Sequence, residues 1–282
     1  MLGAENAWRP SWLFLLSIVL CAINCLDGRA RAQTWYAFEP VDLTIYSPGR
    51  REILGHSHYE LTIVDGGAEI RGEARYLDGE SDVERDRIEF STPEERPALA
   101  SFSHIFFLAD GRLRMTAAAD LKSGVASCNR YQDGATTTVS ETLDFPSDTY
   151  AGAAALIPIE YALRQGMRGG IRFHVFTCAP KPRVLELDAT AELTEKQWAS
   201  YAGSLVRMRV RPDFGWFTLL AMPFLPKFYE WFDASQDWLY LGGTIERFYK
   251  GPVLELVREP HQREDNEPPT ASAVAPQASP AR

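Results

Sequence analysis

Four Asp-Gly pairs divide residues 58–145 into short segments in which polar and apolar side chains alternate. Asp-Gly between two alternating segments is one of the strongest sequence signals for a tight β-hairpin, because glycine adopts the positive φ angles that such turns need. Successive hairpins of this kind predict a meander of antiparallel strands. The four pairs are Asp65-Gly66, Asp78-Gly79, Asp110-Gly111 and Asp133-Gly134.

One segment interrupts the strand pattern. Tyr150 to Gln165 is rich in Ala and Leu, which predicts a helix that bends or restarts at Pro158 and has Gly166 as its C-cap. Strand-like segments then resume, and a late hairpin is predicted around Ala234–Asp237. We therefore predict a mainly β fold: a curved antiparallel sheet, forming a half-barrel or open barrel, with one packed helix.

The chain divides into three parts. Residues 1–32 resemble a secretory signal peptide, since Trp12–Ile23 is apolar and Ala30-Arg31-Ala32 provides small residues for cleavage before Gln33. A retained anchor is the alternative, although an apolar run of about a dozen residues is short for a bilayer, which needs ~20. Residues 33–258 are expected to form a single β-rich domain. Residues 259–282 form a tail rich in Pro, Ala and Ser, which is predicted to be disordered.

The signal peptide predicts a periplasmic or secreted protein that is not an integral membrane protein after cleavage. The chain has 38 acidic and 29 basic residues and no basic stripe, which argues against a nucleic-acid partner. Cys21 and Cys25 belong to the signal, so Cys128 and Cys178 remain in the exported product. An even pair in an exported chain predicts a disulfide, with two free thiols as the alternative because sequence does not show proximity.

Two clusters of polar residues are candidates for metal binding. His56, His58 and Glu60 alternate along a strand, so they share a face and provide a weak zinc alternative; a polar strand face is the simpler interpretation. Carboxylates also occupy every second position from Asp78 to Asp86. We interpret them as the solvated outer face of a charged hairpin, with calcium binding as the alternative. No catalytic or cofactor-binding motif is present in the sequence, so no catalytic residue and no cofactor are predicted.

The segment from residue 214 to residue 243 is unusually rich in aromatic side chains. Pro223, Pro226, Lys227 and Glu230 interrupt it, so it is too short to span a membrane. It is expected to fill the core, to line a lipid cavity, or to touch a membrane surface. The candidate ligand-binding residues are Trp216, Phe217, Phe224, Phe228, Trp231 and Trp238.

The order of five short segments resembles a family of uncharacterised bacterial periplasmic proteins that is defined only as a domain of unknown function. The segments are Gly55-His-Ser-His-Tyr59, Ala74-Arg-Tyr-Leu-Asp-Gly79, Ala162-Leu-Arg-Gln-Gly166, Trp231-Phe-Asp233 and Gly251-Pro-Val-Leu-Glu-Leu-Val257. The resemblance covers most of residues 40–258 and implies a curved antiparallel sheet, similar to the half-barrels of lipoprotein-carrier proteins. It provides no catalytic residue for this chain.

Together these features predict an exported envelope protein that binds a lipid or another apolar ligand without a cofactor. Two alternatives stay open: a scaffold protein with a filled core that binds an envelope protein, and a metal-dependent hydrolase that uses the strand of His56, His58 and Glu60.

Overall fold

The computed structural model describes residues 40–90, 96–132, 134–167, 169–178, 180–192, 205–213, 228–247 and 251–258. These residues form one sheet of fifteen strands and a short helix. The first eight strands are β1 Val41–Tyr46, β2 Ile53–Val64, β3 Gly67–Tyr76, β4 Ser81–Glu89, β5 Ala98–Phe107, β6 Leu113–Asp120, β7 Val125–Gln132 and β8 Ala135–Thr142. The others are β9 Thr149–Tyr150, β10 Ile171–Cys178, β11 Pro182–Glu192, β12 Leu205–Pro212, β13 Phe228–Asp233, β14 Leu239–Glu246 and β15 Val253–Arg258.

The predicted fold class is confirmed. The strand order is β8-β7-β6-β5-β4-β3-β2-β1-β15-β14-β13-β12-β11-β10-β9, so nearly every strand pairs with its sequence neighbours and β1 joins the two ends of the domain. All pairings are antiparallel except that of β9 with β10. At the predicted turns, Gly66, Gly79, Gly111 and Gly134 have φ angles of 76°, 87°, 80° and 77°. Their lack of a Cβ explains why each turn can be so short.

The sheet is rolled, and its two edges overlap. Phe176 and Cys178 lie on one face of β10, whereas Val175 and Thr177 point to the other. Phe176 contacts Phe102 of β5, with ring centroids 5.8 Å apart, and Cys178 forms a disulfide with Cys128 of β7, with a Cα–Cα distance of 5.7 Å. The edge near β10 is therefore covered by strands β5–β7. Side-chain packing and the disulfide hold the roll together there, since β8 and β9 are not paired.

The helix lies inside the roll. A 3₁₀ turn, Gly152–Ala155, leads directly into α1, Leu156–Arg164. Pro158 falls in the first turn of α1, where a missing N–H leaves no helical hydrogen bond unmade. The helix ends as predicted at Gly166, whose N–H donates to Leu163 O while Met167 N–H donates to Ala162 O, a Schellman motif.

Two apolar clusters stabilise the domain. The larger one lies inside the roll and contains the buried side of α1 together with residues from most strands. The smaller one is built from Trp231, Leu241 and Val257 on β13, β14 and β15. Within the residues described above, no helix is long and apolar enough to cross a membrane.

Candidate functional site: a cavity inside the rolled sheet

The rolled sheet holds an open-sided cavity of about 660 Å³. Its lining comes from both halves of the sheet and from α1, and most of it is aliphatic or aromatic. Typical lining residues are Val41, Ile70, Phe102, Met115, Ile159 and Leu256. Because side chains alternate along each strand, every strand that contributes to the lining also presents a second face to the outside.

One wall of the cavity is apolar, and we call it the β10–β11 wall. Phe173 of β10 lies opposite Leu187 of β11, and Val175 lies opposite Leu185, and all four side chains line the cavity. The same face continues to Arg183, which lies opposite Thr177.

The opposite wall, which we call the β4–β5 wall, is polar. Asp82, Glu84 and Asp86 of β4 are all buried, with Asp86 completely inaccessible. The sequence-based interpretation of these carboxylates as a solvated outer face is therefore wrong. The alternation was correct, but β4 lies in the middle of a rolled sheet, and the face that carries the carboxylates is the inner one.

Asp82 is held by two partners on neighbouring strands. The Tyr76 hydroxyl donates to Asp82 Oδ2 at 3.0 Å, and His104 Nε2 lies 3.3 Å from Asp82 Oδ1. Burial lowers the pKa of His104, but the hydrogen bond and the charge of Asp82 outweigh burial, so the net pKa of His104 is raised. Burial, followed by the charge of Asp82, raises the pKa of Tyr76 well above its ordinary value. Asp82 and His104 thus form a buried pair of opposite charge, and the Tyr76 hydroxyl donates a hydrogen bond to the same carboxylate.

Glu84 and Asp86 bind the start of the 3₁₀ turn. The N–H of Ala153 donates to Glu84 Oε1 at 2.6 Å, and the N–H of Ala154 donates to Asp86 Oδ2 at 3.2 Å. Such N–H groups have no partner within a helical turn, so buried carboxyl groups satisfy them. Burial raises the pKa of Glu84, and burial together with the charge of Glu84 raises the pKa of Asp86 well above its ordinary value. The two carboxyl groups therefore hold the start of the 3₁₀ turn, and with it α1, against β4.

A further carboxyl group lies between the two walls. Glu230 of β13 is buried, lines the cavity and accepts a hydrogen bond of 2.8 Å from the Tyr240 hydroxyl. Burial raises the pKa of Glu230 to about 8. Glycine is required beside it, because a Cβ on Gly243 would lie 1.8 Å from Glu230 Oε2. Glu230 is therefore uncharged over most of the neutral pH range.

The predicted aromatic ligand-binding residues have different positions. Phe228 lines the cavity. Trp231 lies in the smaller apolar cluster, and Trp238 packs against the larger core without lining the cavity. Trp216, Phe217 and Phe224 fall outside the described residues, although Pro212 and Phe228, which flank this part of the sequence, both line the cavity.

Of the other predicted candidates, Glu60 and Cys178 line the cavity, whereas His56, His58 and Cys128 do not. His56 and His58 are exposed on β2, and His58 Nδ1 lies 2.7 Å from Asp42 Oδ1. Glu60 pairs in register with Arg71 on β3. Over the described ranges, no three His, Cys, Asp or Glu side chains are grouped so that they could hold a metal ion. Cys128 and Cys178 form the disulfide described above.

Three features of the site were not predicted from the sequence: Arg183, Glu230 and the buried role of Glu84. A signal was present for the first two, because each charged residue stands in an apolar alternation: Arg183 precedes Leu185 and Leu187, and Glu230 lies between Phe228 and Phe232. A charged residue on the apolar face of a strand indicates a buried polar group or a ligand contact.

Comparison with known proteins gives one similar fold. No family model matches the chain, and no curated protein matches it. A solved structure, described as a β-barrel-like protein of domain of unknown function DUF1849 from Brucella abortus, is 14% identical over 77% of this chain and 93% of that chain, with a TM-score of 0.41. The periplasmic location and the similarity to lipoprotein carriers stay predictions.

Proposed function

We propose that this is an exported envelope protein that binds a lipid or another apolar ligand inside the rolled sheet. The observation that supports this proposal is the cavity of about 660 Å³ with its largely apolar lining. Ligand-binding cavities typically measure about 300–1,000 Å³ and are lined by apolar side chains with a few polar groups. A scaffold protein with a filled core would not need to keep such a volume free, since protein interiors are otherwise close-packed.

Two features of the fold support a preformed binding site. The disulfide between Cys128 and Cys178 fixes the overlap of the sheet edges, and Glu84 and Asp86 fix the start of the helical segment. A ligand would then enter a cavity whose walls are already held in place, so little conformational entropy is lost on binding. Export is supported by the signal-like residues 1–32 and by the disulfide, a bond that is typical of oxidising compartments.

The first test is native mass spectrometry of the protein purified from its own host under mild conditions. We expect an additional mass that is lost on activation and that is identified as a lipid in the extract.

The second test fills the cavity. Val175→Trp and Leu185→Trp place bulk on the β10–β11 wall, and Thr138→Trp places the same residue on the exposed strand β8. Binding of the uncharged probe N-phenyl-1-naphthylamine is measured by its fluorescence. We expect the two cavity variants to lose binding and Thr138→Trp to keep it, with all three retaining the wild-type circular dichroism spectrum. Equal binding by all four folded proteins would show that the cavity is not the binding site.

A further inference from the structure

Arg183 is a cation on an otherwise apolar wall. It lies on the same face of β11 as Leu185 and Leu187, because the three residues alternate along the strand, and all three line the cavity. Its cross-strand neighbour is Thr177, whose side chain also lines the cavity and carries a hydroxyl group. The apolar wall therefore ends in two groups that can donate hydrogen bonds.

Arg183 differs from the other arginines of the cavity lining in its contacts. Arg247 pairs with Asp78 at 2.8 Å and with Glu80 at 2.9 Å, and its guanidinium stacks on the Tyr76 ring at 3.8 Å from the centroid. Arg211 lies 3.9 Å from Asp188. Arg183 differs in having no ion pair within the described part of the chain, although its Nε atom, like that of Arg247, is buried without a hydrogen-bond partner. A partly buried guanidinium without an anionic partner is poorly solvated, and an anionic ligand group beside it would offset this cost.

Three carboxyl groups of the lining, those of Asp82, Glu84 and Glu230, do not offset this charge. Asp82 is paired with His104, and Glu84 accepts the N–H of Ala153. Glu230 is uncharged near neutral pH, because burial raises its pKa to about 8. The acidic groups on β4 and β13 thus have internal partners or a proton, whereas Arg183 on β11 has neither.

We propose that the cavity binds an anionic amphiphile, with the alkyl chain along the β10–β11 wall and the anionic group at Arg183 and Thr177. The shared chemistry is a carboxylate or phosphate attached to an apolar chain, as in a fatty acid or a phospholipid. Both anions match the planar donor arrangement of a guanidinium group. This inference rests on the proposed function, and it adds the chemical class of the ligand.

The experiment measures displacement of N-phenyl-1-naphthylamine by four competitors, each below its micelle-forming concentration. Dodecanoate and dodecyl phosphate are anionic amphiphiles, dodecanol has the chain without the charge, and acetate has the charge without the chain. The protein variants are Arg183→Met and Arg172→Met. The second is a matched control, because Arg172 lies on the outer face of the adjacent strand β10 and loses the same charge.

We expect wild-type protein to bind dodecanoate or dodecyl phosphate about tenfold more tightly than dodecanol, because a charge-assisted hydrogen bond in a buried site is worth about one order of magnitude in affinity. Arg183→Met should remove this preference and leave dodecanol affinity within about twofold, whereas Arg172→Met should change neither. The relative affinities of the carboxylate and the phosphate then identify which anion the site prefers.

Three outcomes would overturn the inference. Equal affinity of wild-type protein for dodecanol and the two anionic amphiphiles would refute it while the proposed function stands. Displacement by acetate at the same concentration would show an anion site that does not need a chain. Failure of the probe and of every amphiphile to bind folded protein would refute the proposed function itself.

Discussion

The two walls of the cavity hold buried charge in opposite ways. On the β4–β5 wall, Asp82, Glu84 and Asp86 are each matched by a donor from the protein itself. On the β10–β11 wall, Arg183 stands among apolar side chains and has no acceptor from the described residues. A buried polar group with an internal partner contributes to the fold, whereas one without a partner is available to a ligand.

The polar wall also explains how the helix is positioned. Gly152 has a φ angle of 48°, and a Cβ there would lie 2.2 Å from Glu84 Oε1. The carboxyl group can therefore reach the N–H of Ala153 only because residue 152 is glycine. The buried carboxyl groups of this wall hold the 3₁₀ turn against the sheet. The apolar wall opposite therefore sets the shape of the cavity.

The largest predicted effect on stability comes from removing the disulfide that holds the overlapping edges of the sheet together. Replacing both Cys128 and Cys178 by alanine removes the disulfide that joins β7 to β10, across a sequence separation of 50 residues. On the chain-entropy model, a loop of this size stabilises the folded state by about 4 kcal/mol. We expect a loss of that order in the free energy of unfolding, measured by urea denaturation. Dithiothreitol should lower the stability of the wild type to the same level and leave the double variant unchanged; an unaffected wild type would contradict the prediction.

The next largest effect on stability concerns Glu230. Its buried carboxyl group is uncharged because it is protonated, and not because it pairs with a cation. The pKa of Glu230 is raised to about 8 in the folded protein, against an ordinary value of 4.5. The folded state therefore binds a proton more tightly than the unfolded state, so its stabilisation is complete below pH 4.5 and is lost as the pH rises to about 8. Between pH 5.5 and 7.5 this amounts to roughly 1.4 kcal/mol per pH unit, or about 3 kcal/mol in total.

Glu230→Gln isolates this effect, because the amide is uncharged at every pH and its oxygen still accepts from Tyr240. The measurement is the difference in the free energy of unfolding between wild type and variant at several pH values. We expect the wild type to lose stability relative to Glu230→Gln as the pH rises. Parallel pH profiles of the two proteins would show that Glu230 does not titrate in this range.

A smaller effect, a difference of about 2 kcal/mol from its control, is expected from Gly152→Ala on the polar wall. The added Cβ would push against the Glu84 carboxyl group and also require a positive φ angle for alanine. Gly111→Ala is the matched control, since Gly111 has a φ angle of 80° but no atom within 4 Å of the added Cβ. We expect the control to lose about 1 kcal/mol and Gly152→Ala about 3 kcal/mol by thermal or urea unfolding. Equal losses would show that the contact with Glu84 does not matter.

The sequence predicted the sheet well because its signals are local. An Asp-Gly turn and the alternation around it lie within about a dozen residues, so Gly66 and Gly79 mark their hairpins without knowledge of the rest of the fold. The overlap of the sheet edges depends on Phe102 and Phe176, which are distant in sequence, and no local pattern indicates their contact. The disulfide was predicted from cysteine number and compartment, and not from geometry.

The site was less predictable because the contacts that form it join residues that are distant in the sequence. Alternation shows that Asp82, Glu84 and Asp86 share a face, but it does not show whether that face is inside. The partners that make burial acceptable, such as Ala153 and Ala154, are 69 and 68 residues away, respectively. Arg183 has the reverse problem: its importance lies in a missing partner, which only the assembled structure can reveal.

The smallest predicted effect on stability is that of Arg183→Met, and it is the most direct test of the comparison between the walls. Arg183 makes no ion pair within the described residues, so its removal breaks no such contact and leaves an apolar side chain on an apolar wall. We expect its free energy of unfolding to stay within about 0.5 kcal/mol of the wild type, or to rise slightly. Arg247→Met is the control, because it takes the cation from Asp78 and one of two cations from Glu80, and it removes the guanidinium from the Tyr76 ring. A loss of about 1–3 kcal/mol is expected there. Urea denaturation of ligand-free protein measures both. If Arg183→Met were as destabilising as Arg247→Met, Arg183 would be a structural residue, and the two walls would hold their charges for the same purpose.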